Sequence, residues 1–467
     1  MIISQPYPMK LKLLVLALLL VAAFLARAQT SPFPLKLNPN GRYLVDSHNK
    51  PFLIKEISAW GLIQALSEND ESAFMDSVKK KGFNTLMVSI ISYDTRFAGD
   101  PPNWQGISPF KVKWDLSTYD TAYFAHADRF LHMAQNKGML VLLVPCYLGY
   151  KGDKTQGWWS KILDSHNSPE KSRAYGQFLG NRYQDFPNII WEAGGDNAGD
   201  GPLNVHTDNI IQGIKTFDKN HFWTGHFESA WPTNWSSGSK LYAKYIDLDG
   251  LYAFEEKNLG ADTPQYKTEL ARYGKGRMIF QLDQSYEQDI PHGKDNTDYQ
   301  IIRRKNYDGL LSGCAGTSFS PGTPGNQCYT LTNWQPLMST RGMKEMQYCL
   351  SLFTSRPWQK LVPDTSGKII TTGLGYYGDT DYICAALASD HSTYIAYLPR
   401  GGIIAVQLSA LHMHTMRAWW YNPRTGKAKP TSCLWPYQYS QTFSTPTNED
   451  WVLILDSQEA KLPEPGK

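Results

Sequence analysis

The chain has 467 residues, of which 42% are hydrophobic and 19% charged, so wholesale disorder is excluded and a large core is possible. Lys and Arg number 46 against 43 Asp and Glu, which excludes a basic field for nucleic acid. Aromatic residues make up 13% of the chain, enough for a large ring-lined surface.

Residues 1–28 read as a signal peptide. Lys10 and Lys12 form its basic region and residues 13–25 its apolar stretch. Ala26-Arg27-Ala28 fits the small-x-small cleavage rule and leaves Gln29 first. The apolar stretch is too short to span a membrane comfortably, and no other segment reads as a span. The mature chain is therefore expected to be exported, periplasmic or secreted, with no stable membrane insertion. The leader removes three cations and no acid, so the mature chain is formally neutral.

A hairpin is expected over residues 42–55, with its turn near His48-Asn49. Strand-like runs then follow at 52–57, 85–91, 139–145, 188–193, 221–226, 248–254, 277–282 and 316–319. Helical patterns lie at 67–81, 119–137, 168–184, 205–217, 263–273, 297–311 and 341–353. Ser67 with Asp70, and Ser168 before Pro169, are helix-start signals. Eight strands with interleaved helices predict an α/β protein, a (β/α)8 TIM barrel within residues 29–356. After Pro357 the texture changes to short alternating strands between Gly, Pro, Asn and Asp turns, predicting a small C-terminal antiparallel β-sandwich over 357–467.

No GxGxxG or P-loop motif, no CxxC pair and no Cys/His cluster of zinc-site spacing occurs, so neither a cofactor nor a metal is expected. His412 and His414 are expected on one strand face, without a third ligand. Cys146, Cys314 and Cys384 sit in apolar runs and read as core; Cys328 lies in a loop where it could pair.

In such a barrel the reacting groups stand at the C-terminal ends of strands. The fourth strand ends Asn188-Ile-Ile-Trp-Glu-Ala-Gly-Gly-Asp196, and the seventh leads into Leu282-Asp283-Gln284-Ser285-Tyr286-Glu287. Carboxylates facing each other from these two ends can divide acid and nucleophile roles on a glycosidic bond. The expected pair is Asp196 and Glu287, with Asp283 either supporting Glu287 or acting in its place. Trp60, Glu56, Glu192, His226, Tyr252, Tyr286 and Trp231 are the expected sugar-binding residues; Trp104, Trp158, Trp159 and Trp235 also lie in or near predicted loops after strands, where indole faces can stack on sugars.

Gly82-Phe-Asn, the phrase Arg182-Tyr-x-x-x-Pro-Asn-Ile-Ile-Trp-x-x-Gly-Gly-Asp196 and the Tyr286-Glu287 pair resemble the apiosidase-like barrel family, which includes glycoside hydrolase family 140. Tyr397-Leu-Pro-Arg400 and Trp419-Trp-Tyr-Asn-Pro-Arg-Thr-Gly426 resemble the β-domain that follows that barrel and carries a collagen-binding label. Together the resemblance covers about residues 35–458. It implies Asp196 as acid/base, Glu287 as nucleophile and release of apiose from branched pectin; the strand-four phrase also resembles the W-E-x-x-N-E pattern of a large retaining glycosidase clan, which implies retention of configuration. Three pocket-forming ends depart from it. Glu56-Ile-Ser-Ala-Trp60 stands for Gly-Asp-Thr-Ala-Trp, Leu282-Asp283-Gln284 for Gly-Glu-Pro, and Gly316–Pro321 for a Gly-His-Tyr-Gly-like turn. The sugar is therefore left open. The leading expectation is an exported glycoside hydrolase acting on plant-type polysaccharide. An endo-acting glycanase of the same clan and a non-catalytic carbohydrate- or matrix-binding protein are the alternatives. Oligomeric state is left open.

Overall fold

The computed structural model describes residues 31–93, 102–149, 154–227, 234–253, 264–284, 286–288, 299–324, 326–328, 331, 333–434 and 439–467. Lys36–Leu37, Leu44–Val45 and Pro51–Phe52 form a three-stranded antiparallel sheet ahead of the barrel, one strand more than the expected hairpin.

Eight parallel strands follow: β1 (Ile54–Ser58), β2 (Thr85–Ser89), β3 (Leu140–Val144), β4 (Ile189–Gly194), β5 (Trp223–His226), β6 (Asp249–Ala253), β7 (Ile279–Gln284) and β8 (Gly316–Phe319). The sheet runs β8-β1-β2-β3-β4-β5, with β6 paired to β7. Backbone bonds from Leu248 N–H to the Trp223 carbonyl (3.1 Å) and from Ala315 N–H to the Ile279 carbonyl (2.8 Å) tie the two parts at the strand entrances. The ring predicted from sequence is thus present. β3, Leu-Val-Leu-Leu-Val, is buried throughout, as a strand covered on both faces must be.

The long helices, apart from the single turns Leu62–Ala65 and Trp159–Ile162, are α1 (Glu68–Lys80), α2 (Thr121–Asn136), α3 (Pro169–Tyr183), α4 (Leu203–Phe217), α5 (Tyr266–Arg272), α6 (Tyr299–Leu311) and α7 (Arg341–Thr354). Ser67 accepts from Asp70 N–H and Ser168 from Lys171 N–H, so both start signals act as caps; Asp120 and Thr340 cap α2 and α7 in the same way. α3 and α4 approach closely because Gly176 and Gly213 face each other; a methyl on Gly176 would lie 2.2 Å from the Ile210 carbonyl oxygen.

Beyond the barrel, β9 (Leu361–Pro363), β10 (Ile370–Thr372), β11 (Cys384–Ala388), β12 (Thr393–Leu398), β13 (Ile403–Val406), β14 (Met416–Asn422), β15 (Lys427–Leu434), β16 (Gln441–Ser444) and β17 (Trp451–Ser457) form two antiparallel sheets, β9-β11-β12-β17-β14-β15 and β10-β13-β16. Tyr394, Ala396, Leu453 and Leu455 from the larger sheet and Ile404, Val406 and Phe443 from the smaller share one core. The barrel is fastened to this domain through α6. The Arg303 guanidinium meets both Asp450 oxygens (2.7 and 2.9 Å) and Glu345, and Tyr307 stacks on Tyr397 at 4.9 Å.

Two sequence expectations are corrected. His412 and His414 lie in the turn before β14 rather than on a strand, and His412 has a left-handed backbone. Cys328 is buried and free, as are Cys146, Cys314, Cys349 and Cys384. Among the described residues no helix is long and apolar enough to cross a membrane.

Candidate active site

β4 ends in a tight turn. Gly194, Gly195 and Asp196 all have positive φ (95°, 98° and 53°), and Asp196 is the member that bears a side chain. A methyl on Gly195 would lie 2.5 Å from the Tyr147 ring, so glycine lets the turn fold back against the end of β3. The left-handed conformation costs Asp196 something and aims its carboxylate over the barrel mouth. There Tyr147 donates to Oδ2 at 2.7 Å and Tyr252, from β6, to Oδ1 at 3.4 Å.

Across the mouth, β7 carries an irregularity. Gln281 pairs with Leu251 and Asp283 with Tyr252, leaving Leu282 as an extra residue. This bulge breaks the alternation of the strand. Gln281 and Gln284 both end on the outer side, where Gln284 Nε2 donates to Gln281 Oε1 at 2.6 Å and Gln281 Nε2 to the Lys305 carbonyl of α6. Asp283 is turned to the mouth.

His226, the last residue of β5, stands between the two acids. Its Nε2 is 3.4 Å from Asp196 Oδ1 and 3.3 Å from Asp283 Oδ2, and its Nδ1 is 3.3 Å from Glu192 Oε1. One atom from each of Asp196, His226 and Asp283 falls within 4.8 Å of the other two. Trp60 closes one side, with its ring 5.2 Å from that of His226 and 4.8 Å from that of Tyr147, and its Nε1–H donates to the Tyr286 hydroxyl at 3.1 Å. Glu56 lies beneath, fully buried, opposite Ser318 of β8.

The electrostatics separate these groups. Burial works against charge on Asp196, but the His226 ring and the hydroxyls of Tyr147 and Tyr252 outweigh it and hold the carboxyl below its ordinary range. Burial lifts Asp283 above that range despite His226. Burial opposes charge on His226 as well, yet Asp196, Asp283 and Glu192 together raise it well above an ordinary imidazole. Burial also raises Glu192, and it raises Glu56 further still, where Asp283 and Glu192 add like charge. Asp196 is 22% exposed and Asp283 2%, so Asp196 is the member of the pair that meets solvent. The three-residue cluster also has the spacing of a metal-ligand set.

Of the expected residues, the structure brings Asp196, His226, Glu192, Tyr252, Trp60, Tyr286 and Glu56 to one place. Glu287 is not among them, which corrects its expected position facing Asp196. Its N–H donates to the Ser320 carbonyl (3.0 Å), and its carboxylate accepts from Gly342 N–H at the start of α7 (2.8 Å) and from Gly322 N–H (3.4 Å). Glu287 thus pins the segment after β8 to a helix N-terminus, a favourable place for a carboxylate. Glu287→Ala is expected to leave two buried N–H groups without that acceptor, at about 1–3 kcal/mol, seen as a lower Tm. Azide should not revive its turnover; an azide-revived Glu287→Ala would return Glu287 to the scissile bond.

Tyr147 was not legible as a site residue; its signal was its position just past β3. Trp158 is buried against Phe110 and Trp114, Trp235 packs under Arg272, and Trp104 lies near His126, so none of these faces the acid pair. Trp231 lies outside the described residues.

A closed parallel barrel with two carboxylates at opposing strand ends is the arrangement of a (β/α)8 glycoside hydrolase. Residues 38–360 match the family described as "Apiosidase-like, catalytic domain", and the chain belongs to that family. Residues 362–456 match "Putative collagen-binding domain of a collagenase". Among solved structures, one described as "Glycoside hydrolase" is 21% identical, with a TM-score of 0.74 over 92% of this chain and 98% of that one. A glycoside hydrolase family 5 protein from Bacteroides vulgatus ATCC 8482 is likewise 21% identical, with a TM-score of 0.74 over 91% of this chain and 94% of that one. These likenesses support the barrel-plus-β-domain fold. No curated protein matches the chain. It is an enzyme, a glycosidase, and its substrate is a carbohydrate.

Proposed function

We propose that this enzyme hydrolyses a glycosidic bond in plant-type polysaccharide or its fragments with retention of configuration, using Asp283 as nucleophile and Asp196 as acid/base. The observation that carries the reading is that His226 touches both acids and one oxygen of each lies within 4.8 Å of the other, an arrangement compatible with the shorter of the two known carboxyl separations. Carboxyls about 5–5.5 Å apart leave no room for a water between acid and sugar, whereas inverting pairs stand roughly 6.5–9.5 Å apart. An Asp283 oxygen bonds to the anomeric carbon as the bond to the leaving oxygen breaks, and Asp196 gives that oxygen its proton. Asp196 then takes a proton from water, the water oxygen bonds to the anomeric carbon, and Asp283 departs.

Burial favours the protonated form of Asp283, whereas the His226 ring and the Tyr147 and Tyr252 hydroxyls favour the ionised form of Asp196. A sugar covering the mouth takes Asp196 out of solvent and so works toward its protonated form, the one the first step requires.

The deep position of Trp60, and the packing of Trp158 and Trp235 away from the acids, support a pocket for a chain end or branch over an open multi-tryptophan groove. By family, a branch sugar of pectin such as apiose is the first substrate to test. Proton NMR of the first-formed anomer should match the configuration of the substrate; an inverted first product would overturn the mechanism. The leader-like residues 1–28 support export. N-terminal sequencing of the mature protein should begin at Gln29, and retained Met1 would remove that part of the reading.

A further inference from the structure

The segment between β10 and β11 leaves its own domain and crosses to the barrel. Tyr266, the first residue of α5, donates its hydroxyl to the Asp379 carbonyl at 3.2 Å and accepts from Gly378 N–H at 2.6 Å. The Tyr266 ring stacks on Tyr382 at 5.1 Å. Tyr377 stands edge-on to both, at 5.7 Å from Tyr266 and 5.5 Å from Tyr382, and Lys267 Nζ lies 5.9 Å from its ring centre. α5 starts on the face of the barrel where β6 ends, so this crossing is at the rim of the mouth.

The connection to the acid pair can be followed bond by bond. Tyr252 donates to Asp196, and the Tyr252 carbonyl accepts from Asn234 Nδ2 at 3.2 Å. Asn234 Nδ2 also donates to Gln265 Oε1 (3.0 Å), and its Oδ1 accepts from Thr268 of α5 (3.0 Å). Gln265 immediately precedes Tyr266, which holds the loop from the second domain.

On that loop Tyr376 is 82% exposed and Tyr377 58%. Adjacent exposed rings add little to the core, and Tyr377 is already fixed in orientation by Tyr266 and Tyr382, so a ligand stacking on it pays little to order it. A phenol offers an apolar face and a polar edge, matching the C–H face and hydroxyl rim of a sugar. We propose that the second domain supplies an outer carbohydrate site, in which Tyr376 and Tyr377 stack on the pectic chain whose branch enters between Asp196 and Asp283. This rests on the pectic reading of the substrate given above.

The test is affinity electrophoresis through gels containing branched pectin, with Asp283→Asn in every protein to keep the polymer intact. Tyr376→Ala/Tyr377→Ala should bind about ten-fold more weakly, as expected for losing two stacking contacts. Tyr376→Ala alone alters a ring that sits outside the fold and should give part of the same loss. In the Asp283-intact enzyme, the tyrosine variants should leave kcat/KM on a nitrophenyl glycoside unchanged. Equal retardation of variant and parent, no retardation of the parent, or parallel loss on the small substrate would overturn the outer site. So would tyrosine-dependent binding to collagen fibrils without binding to pectin. Tyrosine-dependent retention in a protein that turns over no glycoside would instead remove the catalytic reading and keep this one.

Discussion

Replacing Asp283 by Ala is expected to lower turnover by on the order of 10⁴-fold or more, the scale seen when a covalent nucleophile is removed. Asp283 lies against His226 at 3.3 Å, opposite Asp196 across the mouth. Deleting it leaves the acid in place and opens a small space where the anomeric carbon would be attacked. Azide should therefore restore part of the turnover of an activated aryl glycoside and yield a glycosyl azide of inverted configuration. A mechanism-based fluorosugar should label Asp283 in the unaltered enzyme. Labelling of Glu287, or a nearly active Asp283→Ala, would sink the assignment, because the Glu287 carboxylate would then have to leave Gly342 and Gly322 to reach the sugar.

Glu287 was the candidate from sequence because the Tyr286-Glu287 pair resembles the family's, with Asp283 as its support or its replacement; in the structure a single inserted residue turns Asp283 to the mouth. With strict alternation, Phe280, Leu282 and Gln284 would share one face of β7, leaving Asp283 to point away from the mouth. The bulge at Leu282 reverses this, and nothing in Leu282-Asp283-Gln284 announces it. The eight strands and seven long helices were legible because their apolar periods are clear and because Ser67 and Ser168 mark helix starts. β15 was missed for the opposite reason: Lys-Ala-Lys-Pro-Thr-Ser-Cys-Leu does not alternate well and contains Pro430. It pairs with β14 alone, at the edge of its sheet, where a proline is tolerated. On β4 the sequence read correctly to its end, since Gly194-Gly195 is a visible turn signal. What it did not reveal was that Tyr147, 49 residues earlier in the chain, would hold the carboxylate it delivers.

Asp196→Asn retains the shape of the side chain and removes its proton, so general acid catalysis should be lost at a cost of about 100- to 10,000-fold. The loss should be large for sugar leaving groups and small for nitrophenyl glycosides, which depart with little protonation. The pH profile should change in a defined way. The two acids titrate as a pair, and the active form holds one proton between them. Activity of the parent enzyme should rise as pH passes the lower constant of the pair, depressed by His226, Tyr147 and Tyr252. It should fall above the upper constant, which burial raises. With Asn at 196 the shared proton has no second site, and the alkaline fall should disappear while Asp283 alone governs the acid limb. Asp283 also loses a like-charged neighbour, so its constant should move down from the upper one of the pair, yet burial keeps it above the depressed lower constant that set the parent's acid limb, and that limb should shift to higher pH. An Asp196→Asn enzyme that keeps the bell and treats both leaving groups alike would remove Asp196 from proton transfer and bring forward Glu192, which lies 3.3 Å from the far side of the same histidine.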